Sequence, residues 1–231
     1  MNTILQSSTQ ARPEVATRVE QLFAESGAYR HGHFKLKSGR HGDRYLEKFQ
    51  VLQWPDGVAE ICGYMADACR EAASAAEIDV VVGPTTGGVI LAYEVARRLG
   101  TRGFFAESVS DADGSHRELR RGFRIEPGER VALVDDVVTT GASLLEMIPL
   151  IESTGGEIAA TVVIVDRSGE LASLVSPASG RTYSAHALWS LNLPTYEPGP
   201  ATCPGCAAGL PLEAPGSSGT SAAADKSAVT T

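Results

Sequence analysis

The middle of the chain reads Val131-Ala-Leu-Val-Asp-Asp-Val-Val-Thr-Thr-Gly-Ala-Ser143. Its apolar run, residues 131–134, does not alternate with polar residues, which predicts a strand buried on both faces, as in a parallel sheet. Asp135 and Asp136 follow at the carboxyl end of that strand. Small and hydroxyl-bearing residues then open a predicted helix, so backbone N–H groups and hydroxyls there can surround an anion.

The acidic pair and the anion site predict two different groups on one ligand. Two carboxylates would repel a bare polyphosphate, but they accept hydrogen bonds from hydroxyl groups. A ribose 5-phosphate carries a diol and a phosphate at a suitable separation. An apolar strand ending in Asp-Asp also occurs in receiver domains and Mg-dependent NTPases, which need a lysine strand or a G-x-x-x-x-G-K-[ST] loop. This chain has no such loop, and it has no lysine between Lys48 and Lys226.

The composition narrows the class of protein. With 231 residues, of which 43% are hydrophobic, the chain suits one α/β domain with a substantial core. Its formal net charge of −8 disfavours nonspecific binding to nucleic acid and to anionic membranes, so neither partner is expected. The sequence has no apolar run of about 18 residues that would span a bilayer. Residues 1–10 show no export signal, and four cysteines without one fit a reducing cytoplasm, where we expect the protein.

The order of predicted elements favours an α/β fold. Strands and helices alternate from residue 78 onward, which predicts a parallel sheet with helices on both faces and ligands beyond the carboxyl ends of the strands. The predicted elements are the strand Ile78–Val82, the helix Val89–Leu99, the strand Gly103–Ala106, the helix Ala142–Ser153 and the strand Ile158–Val165. An amphipathic helix over residues 13–26 precedes them, whereas residues 107–130 show no apolar periodicity.

The ends of the chain differ from its middle. We expect residues 1–12 to form a flexible N-terminal extension and residues 13–210 to form the folded domain. Residues 211–231 are rich in Gly, Ser and Ala, a composition that buries too little apolar surface to stay ordered. They are therefore predicted to be a disordered tail.

Two further segments carry candidate ligand-binding residues. The loop Gly83-Pro-Thr-Thr-Gly-Gly88 joins a predicted strand to a helix and can bind a second anion through its backbone N–H groups. The turn Leu36-Lys-Ser-Gly-Arg40, followed by Tyr45, lies between two short predicted strands and holds basic groups suited to an anionic ligand. Each segment alone also fits an ordinary structural turn. A ligand with phosphates at two ends would need two anion sites.

Together these segments resemble a known family. The stretch from Val131 to Ser143 resembles the PRPP-binding motif of the type I phosphoribosyltransferases. The turn that contains Lys37 is similar to the amino-terminal signature of the orotate phosphoribosyltransferases. Arg167 follows a predicted strand at the point where that family has an arginine for the orotate carboxylate. The resemblance extends from about Val15 to Cys206.

The resemblance implies a fold and a reaction. The fold is α/β, a parallel sheet of the type I phosphoribosyltransferase kind with helices on both faces and a small hood of N-terminal and C-terminal segments. The reaction moves the 5-phosphoribosyl group from PRPP to orotate, in a homodimer, with Mg²⁺ bound mainly through PRPP and pyrophosphate. Two alternatives stay open: a phosphoribosyltransferase for another base, and a PRPP- or nucleotide-binding regulator that lacks catalysis.

The same resemblance assigns roles to individual residues. Asp135 and Asp136 would hold the ribose hydroxyls during catalysis, and Arg167 would hold the orotate carboxylate by a bidentate contact. Lys37 and Tyr45 would border the substrates. The residues implied for the 5′-phosphate are Thr139, Thr140, Gly141, Ala142 and Ser143, and those for the pyrophosphate are Thr85, Thr86, Gly87 and Gly88.

The chain departs from the better-known members of the family in its cations. Those members carry a lysine where this chain has Gly87, and an arginine-lysine pair where it has Glu107 and Ser108. Their mobile loop also supplies a lysine and a histidine across the dimer. In this chain the corresponding loop is acidic in its first half, and its cations are His116, Arg117, Arg120 and Arg121. Of these, His116 and Arg117 are the predicted catalytic replacements.

No metal-ligating side chains are predicted. Histidines 31, 33 and 41 lie close in sequence but have no cysteine nearby. The motif Cys203-Pro-Gly-Cys206 is half of a zinc knuckle, and no second half is evident, since Cys62 and Cys69 fall on the apolar face of a predicted helix. A surface turn is the interpretation that the sequence favours.

Overall fold

The structure, a computed structural model, describes residues 12–36, 38–74, 76–111, 114–169, 171 and 173–215. Its helices are α1 (Pro13–Glu25), α2 (Phe49–Leu52), α3 (Pro55–Ala72), α4 (Gly87–Leu99), α5 (Ala142–Ser153) and α6 (Pro204–Ala207). Its strands are β1 (Tyr29–Lys35), β2 (His41–Leu46), β3 (Val80–Pro84), β4 (Arg102–Asp111), β5 (Gly114–Glu118), β6 (Arg130–Val138), β7 (Glu157–Asp166), β8 (Ser173–Val175), β9 (Thr182–Ser184), β10 (His186–Ser190) and β11 (Thr195–Tyr196).

The chain divides into two units. Of the described residues, the first unit contains those in the ranges 12–30 and 46–192. The second unit contains those in the ranges 31–45 and 193–215, so it combines two segments that are far apart in the chain. The predicted N-terminal extension lies almost wholly outside the described residues. Within the described part of the chain, no helix has the length and apolar character needed to cross a membrane.

A six-stranded sheet of order β10-β7-β6-β3-β4-β5 forms the centre of the first unit. Every neighbouring pair is parallel except β4 and β5, which are antiparallel. All of β3 is buried, and β6 is buried from Val131 to Asp136, as the continuous apolar run predicts for a strand covered on both faces. The predicted parallel sheet is thus confirmed, with one antiparallel strand at its edge.

Side chains that alternate along the strands divide the core into two layers. Val80 and Val82 pack in one cluster with α5 residues such as Met147. Successive strand residues point to opposite faces, so the buried Val81 faces the other layer. There α4 packs on β3 and β4, and α3 packs on α4 and β7. Helices therefore cover both faces, and the carboxyl ends of β3 and β6 open at one edge of the sheet.

The segment without apolar periodicity, residues 107–130, contains most of a β-hairpin. Strand β4 continues to Asp111, and β5 returns beside it, with Ser108 opposite Arg117 and Val109 opposite His116. Polar residues on both faces of the hairpin gave no apolar period from which a strand could be recognised. The two strands of the hairpin were therefore not predicted from the sequence.

The second unit is a small three-stranded sheet of order β1-β2-β11. Arg40 fastens the edge strand, because its Nε donates to Thr195 Oγ1 and its Nη2 to Thr195 O, both at 2.8 Å. Glu213 pairs with β1: its N–H donates to His33 O at 2.8 Å, and its C=O accepts from Lys35 N–H at 2.7 Å. Glu213 lies within the stretch from residue 211 onward that the sequence predicts to be a tail, and the tail stays a prediction. Residues 216–231 lie outside the described residues.

Candidate active site

The loop after β6 surrounds a cavity of about 200 Å³. Gly141 adopts a left-handed conformation with a φ of 76°, which permits the turn into α5, and it has no side chain to cap the helix. The N–H of Leu145 donates to Gly141 O at 2.9 Å as the helix begins. The cavity is lined by Asp135, Val137, Val138, Thr139, Thr140, Gly141, Ala142, Ser143 and Leu144. All five residues predicted for the 5′-phosphate are therefore brought together with one of the two aspartates.

Asp135 and Asp136 are both buried at the end of β6, with 6% and 2% of their surfaces exposed. Their carboxylates also shape the turn. Asp136 N–H donates to Asp135 Oδ1 at 2.8 Å, and Val137 N–H donates to Asp136 Oδ1 at 2.6 Å. Each aspartate keeps further lone pairs for another donor.

The two carboxylates differ in charge environment. Burial and, second, the neighbouring Asp136 charge together raise the pKa of Asp135 to about 7, against smaller opposing effects of the Asp136 N–H, Lys48 and Arg117. Asp136 instead has a direct cation: Lys48 Nζ donates to Oδ1 at 2.8 Å and lies 2.7 Å from Oδ2. Lys48 is thus the direct ion-pair partner of Asp136, while Asp135 has no such direct cation among the described contacts.

Lys48 is a site residue that the sequence analysis did not identify. It lies just before α2, and it is separated from Asp136 by 88 positions in the chain. The one available signal was its position as the last lysine before a long lysine-free stretch. Its side chain is 34% exposed, so solvent partly screens the ion pair.

The loop from Gly83 to Gly88 packs directly against the acidic pair. A Cβ on Gly87 would lie 1.7 Å from Asp136 Oδ2, so the carboxylate occupies the space that any side chain at position 87 would need. A Cβ on Gly83 would lie 2.5 Å from Gly88 O, so the loop can close only with glycine there. The loop is anchored on the sheet, because Thr85 N–H donates to Ala106 O at 3.0 Å. The two predicted anion loops are therefore neighbours.

Arg117 is the hairpin cation that contacts this loop. Its Nη1 donates to Thr85 Oγ1 at 3.2 Å and to Thr85 O at 3.3 Å, and its Nε donates to Glu146 Oε2 at 2.9 Å. Only 9% of its side chain is exposed. His116 is the preceding residue of the same strand, so its side chain points to the opposite face of the hairpin. There its Nε2 lies 3.0 Å from Glu118 Oε1. Of the two predicted catalytic cations, Arg117 therefore contacts the predicted pyrophosphate loop, whereas His116 contacts Glu118.

The remaining predicted residues fall in three places. Arg167 directly follows β7 and is partly buried, and its N–H donates to Val138 O at 2.8 Å, beside the strand that carries the aspartates. Tyr45 lies in the second unit, where its ring is 5.6 Å from that of Phe34. Lys37 lies outside the described residues.

The family of the chain follows from comparison with known proteins. A model of the phosphoribosyl transferase domain matches residues 49–181, a range that contains both loops, the acidic pair and Arg167. The chain belongs to the phosphoribosyltransferase family.

The relatives narrow the family further. The orotate phosphoribosyltransferase of Caldicellulosiruptor saccharolyticus is 43% identical over 197 residues, which are 85% of this chain and 94% of that protein. The orotate phosphoribosyltransferase of Thermotoga maritima is 37% identical over 201 residues, which are 87% of this chain and 98% of that protein. Within the family, this chain therefore groups with the orotate phosphoribosyltransferases, as the sequence resemblance predicts.

Solved structures agree on the fold. The crystal structure of orotate phosphoribosyltransferase from Aeropyrum pernix matches with a TM-score of 0.57 and 25% identity, over 75% of this chain and 93% of that one. Adenine phosphoribosyltransferase from Leishmania tarentolae matches with a TM-score of 0.54 and 21% identity, over 74% of this chain and 87% of that one. The second match shows a shared fold alone.

Proposed function

We propose that this protein transfers the 5-phosphoribosyl group from PRPP to orotate, forming orotidine 5′-monophosphate and pyrophosphate in pyrimidine nucleotide synthesis. One observation carries the proposal: a buried acidic pair stands between two anion-binding loops. Residues 139–143 line the cavity next to Asp135, and Gly87 lies against Asp136. A diol with phosphate groups on either side fits this order of donors and acceptors. The relatives supply the identity of the base.

In the proposed reaction, a ring nitrogen of orotate loses its proton to solvent and forms a bond to the anomeric carbon of PRPP. The bond from that carbon to the pyrophosphate oxygen breaks, and its electron pair leaves with the pyrophosphate. The ribose gains oxocarbenium character in the transition state, so the protein needs no nucleophile of its own. Asp135 and Asp136 orient the ribose through its hydroxyls, and residues 139–143 fix the 5′-phosphate. Arg117 and the backbone of residues 85–88 stabilise the charge that develops on the pyrophosphate.

The side chains of the site fit Mg²⁺ as a companion of the substrate. Residues 85–88 contribute no carboxylate, and Asp136 is already paired with Lys48. Mg²⁺ binds few protein ligands and keeps much of its water when phosphates are present. Pyrophosphate oxygens would therefore supply most of its ligands, and the ion would neutralise charge on the leaving group.

We further propose that the enzyme is a cytoplasmic homodimer. The proposal of the cytoplasm rests on the four cysteines, all of which are free thiols in the structure, as suits a reducing compartment. The proposal of a dimer rests on the family resemblance.

The alternative of another base is weakened by Arg167, whose position beside the strand of Asp135 and Asp136 suits a carboxylate-bearing base. A noncatalytic regulator would bind PRPP without turnover.

The direct test is a base-specificity assay with the purified protein, PRPP and Mg²⁺. We expect consumption of orotate, measured spectrophotometrically, and no consumption of adenine. Turnover of adenine alone would identify a transferase for another base. PRPP binding by calorimetry without consumption of any base would identify the regulator.

Arg167→Ala should raise the KM for orotate about tenfold while changing the KM for PRPP less than threefold. The orotate carboxylate would lose a charge-assisted hydrogen bond, for which about 1.5 kcal/mol is the low end of the usual range, as suits a partly exposed arginine. Arg167→Lys keeps the charge but not the bidentate geometry and should give an intermediate KM. Equal increases in both KM values would show that Arg167 has a structural role.

Lys48→Met should lower kcat/KM for PRPP about fivefold and reduce the thermal stability of the protein. The substitution leaves the buried Asp136 carboxylate without its cation, at a cost of roughly 1–2 kcal/mol after screening at the partly exposed ammonium. Adding Asp136→Asn to Lys48→Met should restore the melting temperature but not the activity. If the melting temperature of the double variant stays low, Lys48 stabilises the protein through contacts other than its ion pair with Asp136.

A further inference from the structure

The second unit contains a cluster of four side chains that the reaction does not use. His33, His41, Cys203 and Cys206 each offer one nitrogen or sulfur atom, and these atoms all lie within 4.8 Å of one another. His33, His41 and Cys203 are buried, and Cys206 is partly exposed. All four belong to the second unit, where β1 and β2 each provide one histidine and the segment at α6 provides both cysteines.

Three sulfur–nitrogen distances in the cluster match those between ligands of one tetrahedral ion. Zinc bonds of about 2.3 Å to sulfur and about 2.0–2.1 Å to nitrogen place a sulfur and a nitrogen about 3.5 Å apart in a tetrahedron. Cys203 Sγ lies 3.4 Å and Cys206 Sγ 3.5 Å from His33 Nε2. Cys206 Sγ lies 3.3 Å from His41 Nδ1, and the two histidine nitrogens are 2.9 Å apart.

The hydrogen bond on the other side of the His33 ring fixes its tautomer. Its Nδ1 lies 3.0 Å from Leu210 O, which can only accept, so Nδ1 carries the proton. In the neutral ring Nε2 then presents a lone pair to the cluster. A backbone carbonyl that orients the outer nitrogen of a metal-binding histidine is the usual second-shell partner.

Hydrogen bonds within this cluster cannot pair all of its donors with acceptors. His33 Nε2 has one lone pair, and three possible donors approach it: His41 Nδ1 and the thiols of Cys203 and Cys206. Only one of them can donate along that lone pair. A cation at the centre would bind all four atoms at once and would explain why they converge.

The packing of the second unit gives the cluster a structural role. Among the residues described in this unit, the buried hydrophobic side chains are Phe34 and Cys203, which is too little apolar surface to hold three strands together. Gly205 lets the cysteine turn approach the ring, because a Cβ there would lie 2.5 Å from His33 Cγ. The half zinc knuckle identified in the sequence thus meets a second half that consists of two histidines.

We propose that His33, His41, Cys203 and Cys206 bind one Zn²⁺ ion that stabilises the second unit. Two thiolates with two imidazoles favour zinc over harder cations, and four protein ligands leave no position for substrate, so the site is structural. This proposal goes beyond the transferase function and does not depend on it. The sequence interpretation of a metal-free surface turn is replaced by this proposal.

The test is the metal content of the full chain, purified without a metal-binding tag, under reducing conditions, from zinc-supplemented cells. We expect one zinc per chain by mass spectrometry of the metal. His33→Gln and Cys206→Ser should each lose at least nine-tenths of it, as expected for loss of one of four ligands. His31→Gln, an exposed histidine two residues away on the same strand, is the matched control and should retain it.

Cobalt substitution keeps the proposal testable if a variant fails to fold. Wild-type protein stripped with a chelator and reloaded with Co²⁺ should show the absorption of a tetrahedral site with sulfur-to-cobalt charge transfer. Stripping should lower the melting temperature by about 5 °C or more, and Zn²⁺ should restore it. A reduced wild-type chain that neither contains nor takes up zinc overturns the proposal, as does an octahedral cobalt spectrum or a Cys203–Cys206 disulfide in place of metal.

Discussion

Replacing Asp135 and Asp136 together by asparagine is expected to reduce kcat/KM at least about a hundredfold while the protein stays folded. Each ribose hydroxyl would lose a charge-assisted hydrogen bond worth about 1.5–3 kcal/mol, and each 1.4 kcal/mol is about tenfold in rate. The fold should survive because asparagine keeps the Oδ1 atoms that accept from Asp136 N–H and Val137 N–H. Initial rates of orotate consumption and a circular dichroism melt measure the two effects. A folded double variant with near-normal rates would refute the diol assignment.

The single variant Asp135→Asn should be more stable than the wild type at pH 8. The pKa of Asp135 is raised from its ordinary 3.8 to about 7, so the folded state retains a proton that the unfolded state releases. Stability from this group is complete below about pH 4, declines as pH rises, and is gone above about pH 7. Asparagine removes the decline, so the advantage of Asp135→Asn in free energy of unfolding should grow between pH 5 and pH 8, by on the order of a few kcal/mol at most. Melting curves recorded across this pH range measure the effect.

Asp136→Asn is the matched control, and its effect should have the opposite sign. Its carboxylate is paired with Lys48, so the amide leaves a partly buried ammonium without a counter-charge. The melting temperature should therefore fall at pH 8. If both single variants shift the melting temperature in the same direction, the two carboxylates do not differ as the geometry implies. An Asp135→Asn variant that is stable but nearly inactive would show that the acidic pair serves the ligand at the cost of stability.

The parts of the site that local sequence could predict are those that local geometry controls. The apolar run 131–134 and the residues after it specify a buried strand, an acidic end and a helix start within thirteen positions, and β6 and α5 follow that order. Glycines 83, 87 and 88 likewise lie within one turn. In a parallel sheet these loops must open at the carboxyl edge, so their proximity follows from the fold class.

The contacts that could not be predicted join residues far apart in the chain. Lys48 and Asp136 are separated by 88 positions, and Cys206 and His33 by 173. No periodicity or turn signal links such pairs, because strand order and packing alone bring them together. The family resemblance did not indicate the contact between Lys48 and Asp136 either, because the better-known members carry a lysine at the position of Gly87. Here Asp136 fills that space, and Lys48 provides the nearby cation.

Arg117→Ala is expected to lower kcat between about tenfold and a hundredfold with a smaller effect on KM for either substrate. Its guanidinium is nearly buried against Thr85, in the loop proposed to hold the pyrophosphate, where negative charge grows as the bond to ribose breaks. An interaction that strengthens in the transition state affects kcat more than ground-state binding, and tenfold corresponds to about 1.4 kcal/mol. Steady-state kinetics with each substrate varied in turn measures the split.

Two further variants separate charge stabilisation from packing. Glu146→Gln removes the carboxylate that contacts Arg117 Nε and leaves the guanidinium in place, so kcat should fall less than threefold. Arg120→Ala removes an exposed cation shortly after the same hairpin, paired with Glu118, and should leave kcat unchanged. If Glu146→Gln is as damaging as Arg117→Ala, the ion pair rather than the cation near Thr85 matters, and the assignment of Arg117 to the leaving group fails.

A mixing experiment tests whether Arg117 acts in the active site of its own chain or in that of the partner in the proposed dimer. The family resemblance implied a loop that acts across the dimer, whereas Arg117 here contacts Thr85 of its own chain. We therefore expect no recovery of activity when Arg117→Ala is combined with the Asp135→Asn, Asp136→Asn double variant. Each site of the hybrid would lack either the arginine or the acidic pair. If the arginine acted across the interface, one site of every hybrid would be intact. Recovered activity in heterodimers of verified composition would then show that the hairpin leaves its own Thr85 and completes the partner's site during turnover.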